Sequence, residues 1–307
     1  MNKFNWKNLK ASTFLIPLLV ITVIFILYPL INTFIDSFKS YHRYSKVNFD
    51  WSFKNFESIL NDSQFQAAFG NTTIVLLVAT PLGIILAFLF ALLVNSLTSK
   101  LSKNVLITML YSQFFISIFA IGTSFIFLFG NHYNAFNQAF NSNYKFTNNQ
   151  PLFLYVLFHI WRIFPFNSVL FIFAITKAIE KNYKKMRIDN LSLKDKIFHI
   201  YSYELKKSLV LMLYINFMTV MTLFPEAILG QNFPWELNHA HTLTSYIFEY
   251  INPKFGIEIN DAKAAASGIL VFLYILFLII LFFTFKISFR FFNKKNMLHK
   301  QKALEDI

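Results

Sequence analysis

Residues 72–94 read TTIVLLVATPLGIILAFLFALLV, 23 residues without a charged side chain. A helix that crosses a bilayer needs about 20 mostly apolar residues, because every backbone polar group must be satisfied within the segment. Five further stretches qualify by the same rule, at 13–35, 105–130, 152–176, 208–230 and 264–285. The composition agrees: 56% of the 307 residues are hydrophobic and only 14% are charged, against roughly 25% charged in soluble domains. The expected fold is an all-α integral membrane protein, residues 1–307 forming a single transmembrane domain with six spans. The first run follows Lys3, Lys7 and Lys10 but exceeds 20 residues and lacks a small-residue cleavage site, so it reads as an uncleaved span.

Charge placement orients the chain. With the N-terminus inside, 20 of the 28 basic residues fall in cytoplasmic segments, as the positive-inside rule requires. Both termini are therefore expected in the cytoplasm of a multi-pass plasma-membrane protein. The net charge of +13 is topogenic, and a nucleic-acid role is excluded on that ground. The chain has no cysteine, which removes disulfides, thiol nucleophiles and Cys-built metal sites. His239-Ala240-His241 has no acidic ligand at fixed spacing, so no metal site is expected. No G-x-x-x-x-G-K-[ST] motif is present, so the chain cannot cradle nucleotide phosphates. Without paired carboxylates or a nucleophile and base, no enzyme is expected.

Two places stand out as functional. The inner segment 177–207 is far longer than two neighbouring helices need. It reads as two short helices, with the turn at Asp189 and Asn190; after glycine, asparagine is among the residues best suited to the left-handed conformation that ends a helix. Leu193, Ile197, Ile200 and Tyr201 follow a helical period on its second half. Such a helix-turn-helix can be gripped by another protein, or its basic amphipathic face can lie on anionic membrane lipid. The second place is Arg162, near mid-bilayer, where a charge is expensive and should face the interior. It is a donor to sugar hydroxyls or phosphate, or it pairs with Glu226 or Asn216. Trp161, Phe166, Asn167 and Asn216 suit a pathway lining, since aromatic faces and amides match sugar rings. Pro81, Pro165 and Pro225 permit kinks or broken helices beside a cavity.

The run Tyr183-Lys184-Lys185-Met186-Arg187-Ile188-Asp189-Asn190-Leu191, with Ile197 and Ile200 after it, resembles the E-A-A-x-x-D-G-A loop of permeases in binding-protein-dependent ABC importers. Lysines replace its Glu-Ala, and Asn190 replaces its Gly. Asn55-Phe56, Ile59-Leu60, Asp62, Phe65 and Asn71-Thr72 resemble the G-L-x-N-Y…D-x-x-F…N-T segment of sugar and glycerol-phosphate importers. Trp161 to Phe166 looks like their W-x-x-x-P-F, and Leu229-Gly230 through Pro234, Thr242-Leu243 and Tyr246 like L-T-x-G-G-P…T-L. The resemblance covers nearly the whole chain and points to the maltose or glycerol-3-phosphate type.

That resemblance implies the type I importer fold, with loop 177–207 docking into a separate cytoplasmic ATPase subunit that binds ATP and Mg. Met186, Ile188, Leu191 and Ile197 would pack there, Asp189 and Asn190 would form the turn, and Lys184, Lys185 and Arg187 would make polar contacts. It also implies a second, related permease subunit and an extracellular substrate-binding protein. The rival reading is an ATP-independent carrier or channel whose basic loop binds lipid.

Overall fold

A computed structural model describes residues 15–41, 48–130, 134–144, 146, 151–189, 191–230, 233, 236–253 and 259–305. They divide into two compact units, Met1–Asn61 with Ile247–Ile307, and Asp62–Tyr246.

In the first unit, α1 (Leu15–Ser37) is a 23-residue apolar helix. Its Val23–Leu27 segment is π-helical and runs directly into the turn that holds Pro29. Proline has no amide hydrogen and crowds the carbonyl four residues earlier; a wider turn relieves both defects. After α1 comes a two-stranded antiparallel hairpin, β1 (Lys39–Tyr41) and β2 (Phe49–Trp51), with Ser40 opposite Asp50. Next is α2 (Lys54–Leu60). Its buried Asn55 donates to the carbonyls of Ser37 at 3.1 Å and Lys39 at 2.9 Å. This satisfies a carbonyl that the end of α1 leaves without a helical partner.

In the second unit, α3 (Ser63–Ser96) starts at Asp62, whose carboxylate accepts from the Gln64 amide at 2.9 Å. It repeats the proline device: residues Val75–Ala79 are π-helical immediately before Pro81. There follow α4 (Lys100–Ser112), α5 (Ile118–Phe129), α6 (Ala135–Phe140), α7 (Leu152–Ile188), α8 (Ser202–Met221) and α9 (Glu226–Leu229). Last come α10 (Leu243–Ile251) and, in the first unit, α11 (Asp261–Glu305), along which α1 packs. The core of the second unit lies between α3 and α7. Gly83, Ala87 and Ala91, all buried, recur every fourth residue on α3. Small residues at that spacing let two backbones approach closely where apolar burial gives little drive within lipid. A Cβ on Gly83 would stand 2.6 Å from Ile163 Cδ1. Below it, Ala87, Ala91 and Val94 form one cluster with Ile172, Ile175 and Ala178 of α7.

Among the described residues four helical stretches are long and apolar enough to cross a membrane: α1, α3, Leu152–Lys184 of α7 and Asp261–Thr284 of α11. The expected spans at 105–130 and 208–230 are each interrupted. The former breaks into α4, a 3-10 turn at Gln113–Phe115, and α5, which Ser117 restarts by accepting from the Phe119 amide. The latter stops at Met221 because Pro225 cannot donate to the next turn. Glu226 therefore opens the separate α9 instead of lying in a continuous fifth helix. Nor do the described parts of 177–207 form two free-standing short helices. Residues up to Ile188 are the end of α7, bent at Asn182 (φ −113°, ψ 15°). The Asn182 side chain donates to the Ala178 carbonyl at 2.9 Å, competing with the helical pattern there. Leu193–Asp195 and a π-helical turn, Lys196–Tyr201, lead without a gap into α8. Asn190 lies outside the described residues.

Candidate functional site: a polar cavity and two end faces

The α4–α5 break opens a cavity of about 400 Å³. Gln113 and Ile116 line it from the break, Ile121 from α5, Arg162, Ile163, Pro165 and Phe166 from α7, and Ile215, Asn216 and Thr219 from α8. Pro165 sits inside α7 and supplies no amide hydrogen to the Trp161 carbonyl. The Gln113 side chain reaches that same carbonyl at 3.5 Å, so the broken segment and the proline are complementary. The Arg162 Nη1 is buried and has no hydrogen-bond partner. Asn216 donates to Asn167 Oδ1 at 3.3 Å, while its own Oδ1 stays without a partner. One turn above Ile163, His159 bonds Thr80 at 3.0 Å, away from the cavity lining.

Four sequence-predicted lining residues thus meet at one cavity: Arg162, Pro165, Phe166 and Asn216. Asn167 is fully buried behind them. Trp161 stacks edge-on with Phe125, centroids 5.9 Å apart, and Glu226 lies on α9. Gln113 and Thr219 were missed. The polar pair Ser112-Gln113, interrupting an apolar run, was the available signal. A wider, shallow hollow of about 720 Å³ on α5, lined by Ala120, Thr123, Ser124, Phe127 and Leu128, holds no charged group.

At one end of this unit, two segments that are distant in sequence are sewn together. Tyr246 donates to Asp62 at 2.7 Å, and its ring lies tilted against that of Phe65, centroids 5.3 Å apart. The Leu243 amide donates to Thr72 at 3.1 Å, and Asn71 donates to the carbonyls of His239 and His241. The break after α8 is satisfied from the same side: Thr242 donates to the Leu223 carbonyl at 2.7 Å and Thr244 to that of Met221. Carbonyls released by a helix end must find such donors when buried. Gly122 of α5 is pressed on α9, where a Cβ would fall 1.7 Å from the Ala227 carbonyl oxygen.

At the other end, Met186, Leu191 and Ile197 pack, partly buried, on the chain's own Ala87–Ala178 cluster. Lys184 and Asp189 are exposed; of the Lys185, Arg187 and Ile188 side chains and of Asn190 nothing is described. The outward apolar groups are Tyr183, Leu193, Phe198 and Tyr203. Lys207 lies over the Tyr203 ring at 4.4 Å, and Lys177 pairs with the buried Glu204 at 3.7 Å. Lys103 donates to Asn95 at 2.8 Å and Thr176 at 2.7 Å, tying α3, α4 and α7 together. Burial holds its pKa below the ordinary lysine value, with Glu180 acting against that shift. Among the described residues no group of three or more His, Asp or Glu side chains could hold a metal.

No protein-family model matches the chain. It is 27% identical over 292 residues to the arabinooligosaccharides transport system permease protein of Bacillus subtilis, covering 88% of each chain. To a probable ABC transporter permease protein of Mycoplasma genitalium it is 22% identical over 272 residues, 86% of this chain and 81% of the relative. The fold matches a chain from the crystal structure of a bacterial alginate ABC transporter in complex with an alginate pentasaccharide-bound periplasmic protein. That match has a TM-score of 0.73 at 21% identity, over 90% of this chain and 94% of the other. A second solved bacterial ABC transporter, involved in import of the acidic polysaccharide alginate, gives 0.68 at 21% identity, over 93% and 98%. Along most of its length the chain is therefore similar to ABC-transporter permeases, a sugar permease among them, and it has the fold of a chain from a bacterial ABC importer.

Proposed function

We propose that this chain is one transmembrane half of an ATP-driven importer, forming a single permease domain with six crossings and both termini in the cytoplasm. Two of the six crossings are interrupted helices, α4–α5 and α8–α9. The substrate is a sugar, polyol or glycerol phosphate handed over by an extracellular binding protein. That the alginate transporter was crystallised with its periplasmic protein supports such a partner. ATP and Mg are held by a separate cytoplasmic ATPase subunit, and a second permease completes the path. Segment 177–207 is the coupling element. Its inner apolar residues, Met186, Leu191 and Ile197, fasten it to α3 and α7, so a push on its outer face moves those helices as a body. Lys184, Lys185, Arg187, Ile188, Asp189 and Asn190 lie along the stretch that meets the ATPase.

The observation that carries this reading is the cavity between α7, α8 and the α4–α5 break, which places Arg162, Phe166 and Asn216 around one space inside a membrane bundle. Trp161, Asn167 and Glu226 take a supporting place around the pathway. The test is co-purification in mild detergent from the native host. Wild type should bring down a Walker-A ATPase and a second permease, and Asp189→Lys with Asn190→Pro should lose the ATPase and retain the permease. A chain that purifies alone, and transports without ATP in proteoliposomes, would establish the carrier reading instead.

A further inference from the structure

Among the described residues Arg162 makes no ion pair, and its Nη1 is buried without a hydrogen-bond partner. The other side chains that line its cavity are uncharged. A guanidinium cannot shed its proton to escape burial. An unpaired charge in a low-dielectric interior is costly unless a counter-charge reaches it. Among the described residues nothing supplies one, although the cavity has room for a small ligand. The neutral groups around the arginine suit hydroxyls: Asn216 Oδ1 is an unused acceptor, and Thr219 and Gln113 flank it.

From this we infer that the cavity selects an anionic sugar derivative, whose carboxylate or phosphate is gripped by the Arg162 guanidinium while Asn216 accepts from a ring hydroxyl. The inference rests on the importer reading and deepens it: the transported molecule itself supplies the missing counter-charge. The planar fork of arginine matches both anions through paired hydrogen bonds.

The experiment measures equilibrium binding to the purified chain in nanodiscs, together with whichever subunits co-purify. The probes are radiolabelled digalacturonate, glucose 1-phosphate and the neutral disaccharide cellobiose. At least one anionic probe should bind 10-fold or more tighter than cellobiose, the stronger of the two telling carboxylate from phosphate. Arg162→Gln should erase that preference, leaving the anionic probes no tighter than cellobiose. Arg162→Lys keeps the charge, loses the fork, and should retain only part of the preference; it also serves if the glutamine variant does not fold. Equal binding of all three probes, no binding of either anion, or a preference that survives Arg162→Gln overturns the inference. Loss of the ATPase and second permease from the preparation would count against the importer reading alone, because the charge preference is read on this chain in either case.

Discussion

Gly83 and Gly122 both stand where another helix comes too close for a side chain, yet they should respond differently to the same substitution. At Gly83 the obstacle is the end of the Ile163 side chain, 2.6 Å from the added carbon, which can rotate away. At Gly122 it is a backbone carbonyl at 1.7 Å, so α5 and α9 must separate. Overpacking of that kind costs about 1–3 kcal/mol. Thermal unfolding in detergent should therefore show a clear fall in Tm for Gly122→Ala and a much smaller one for Gly83→Ala. Equal effects would mean that the α5–α9 contact yields as easily as a rotamer. The Tyr246 hydroxyl is a second residue-scale test, because it donates to a carboxylate that also caps α3. Tyr246→Phe should destabilise by roughly 1.5–3 kcal/mol, the range for hydrogen bonds to charged groups. Asp62→Asn, which keeps an accepting oxygen for the cap, should cost less than Asp62→Ala.

Among the elements, α1, α3, α7 and α11 were legible in the sequence because twenty or more apolar residues in a row leave the backbone one solution in lipid. The interruptions were not. Hydropathy averages over a window and does not see that Gln113 is needed at the carbonyl Pro165 leaves open, a partnership across 48 positions of sequence. The break after Met221 was half visible, since Pro225 announced it, but the threonines that make it tolerable lie some twenty residues onward. The same reasoning explains the candidate site. Arg162 and Asn216 stood out as polar groups at membrane depth, whereas Trp161 is taken up by its contact with the Phe125 ring and Glu226 is placed by where α8 ends. Thr242→Val removes the donor to the Leu223 carbonyl and should lower stability by about 1–3 kcal/mol. Thr242→Ser, which keeps the hydroxyl, should stay near wild type by the same melt.

For the whole molecule, the absence of cysteine makes sidedness directly measurable. Single cysteines at Lys184 and Leu237, both exposed, should label from opposite faces with an impermeant maleimide. Leu237→Cys should react in intact cells, and Lys184→Cys only after permeabilisation. The reverse pattern would invert the orientation read from the lysine bias. The two π-helical turns that precede Pro29 and Pro81 also bear on how this chain aligns with distant relatives. Each holds one residue more than the α-helical turn it replaces, so in evolutionary terms each is an insertion absorbed without lengthening a loop. Removing one residue from 75–79 should let that turn relax to α-helix with the stretch before it still in register with the Gly83-Ala87-Ala91 stripe, whereas a deletion elsewhere in the helix would turn one side against the other by about 100°. A homologue without Pro81 is thus expected to be one residue shorter at this point, with the remainder of its helix in unchanged register.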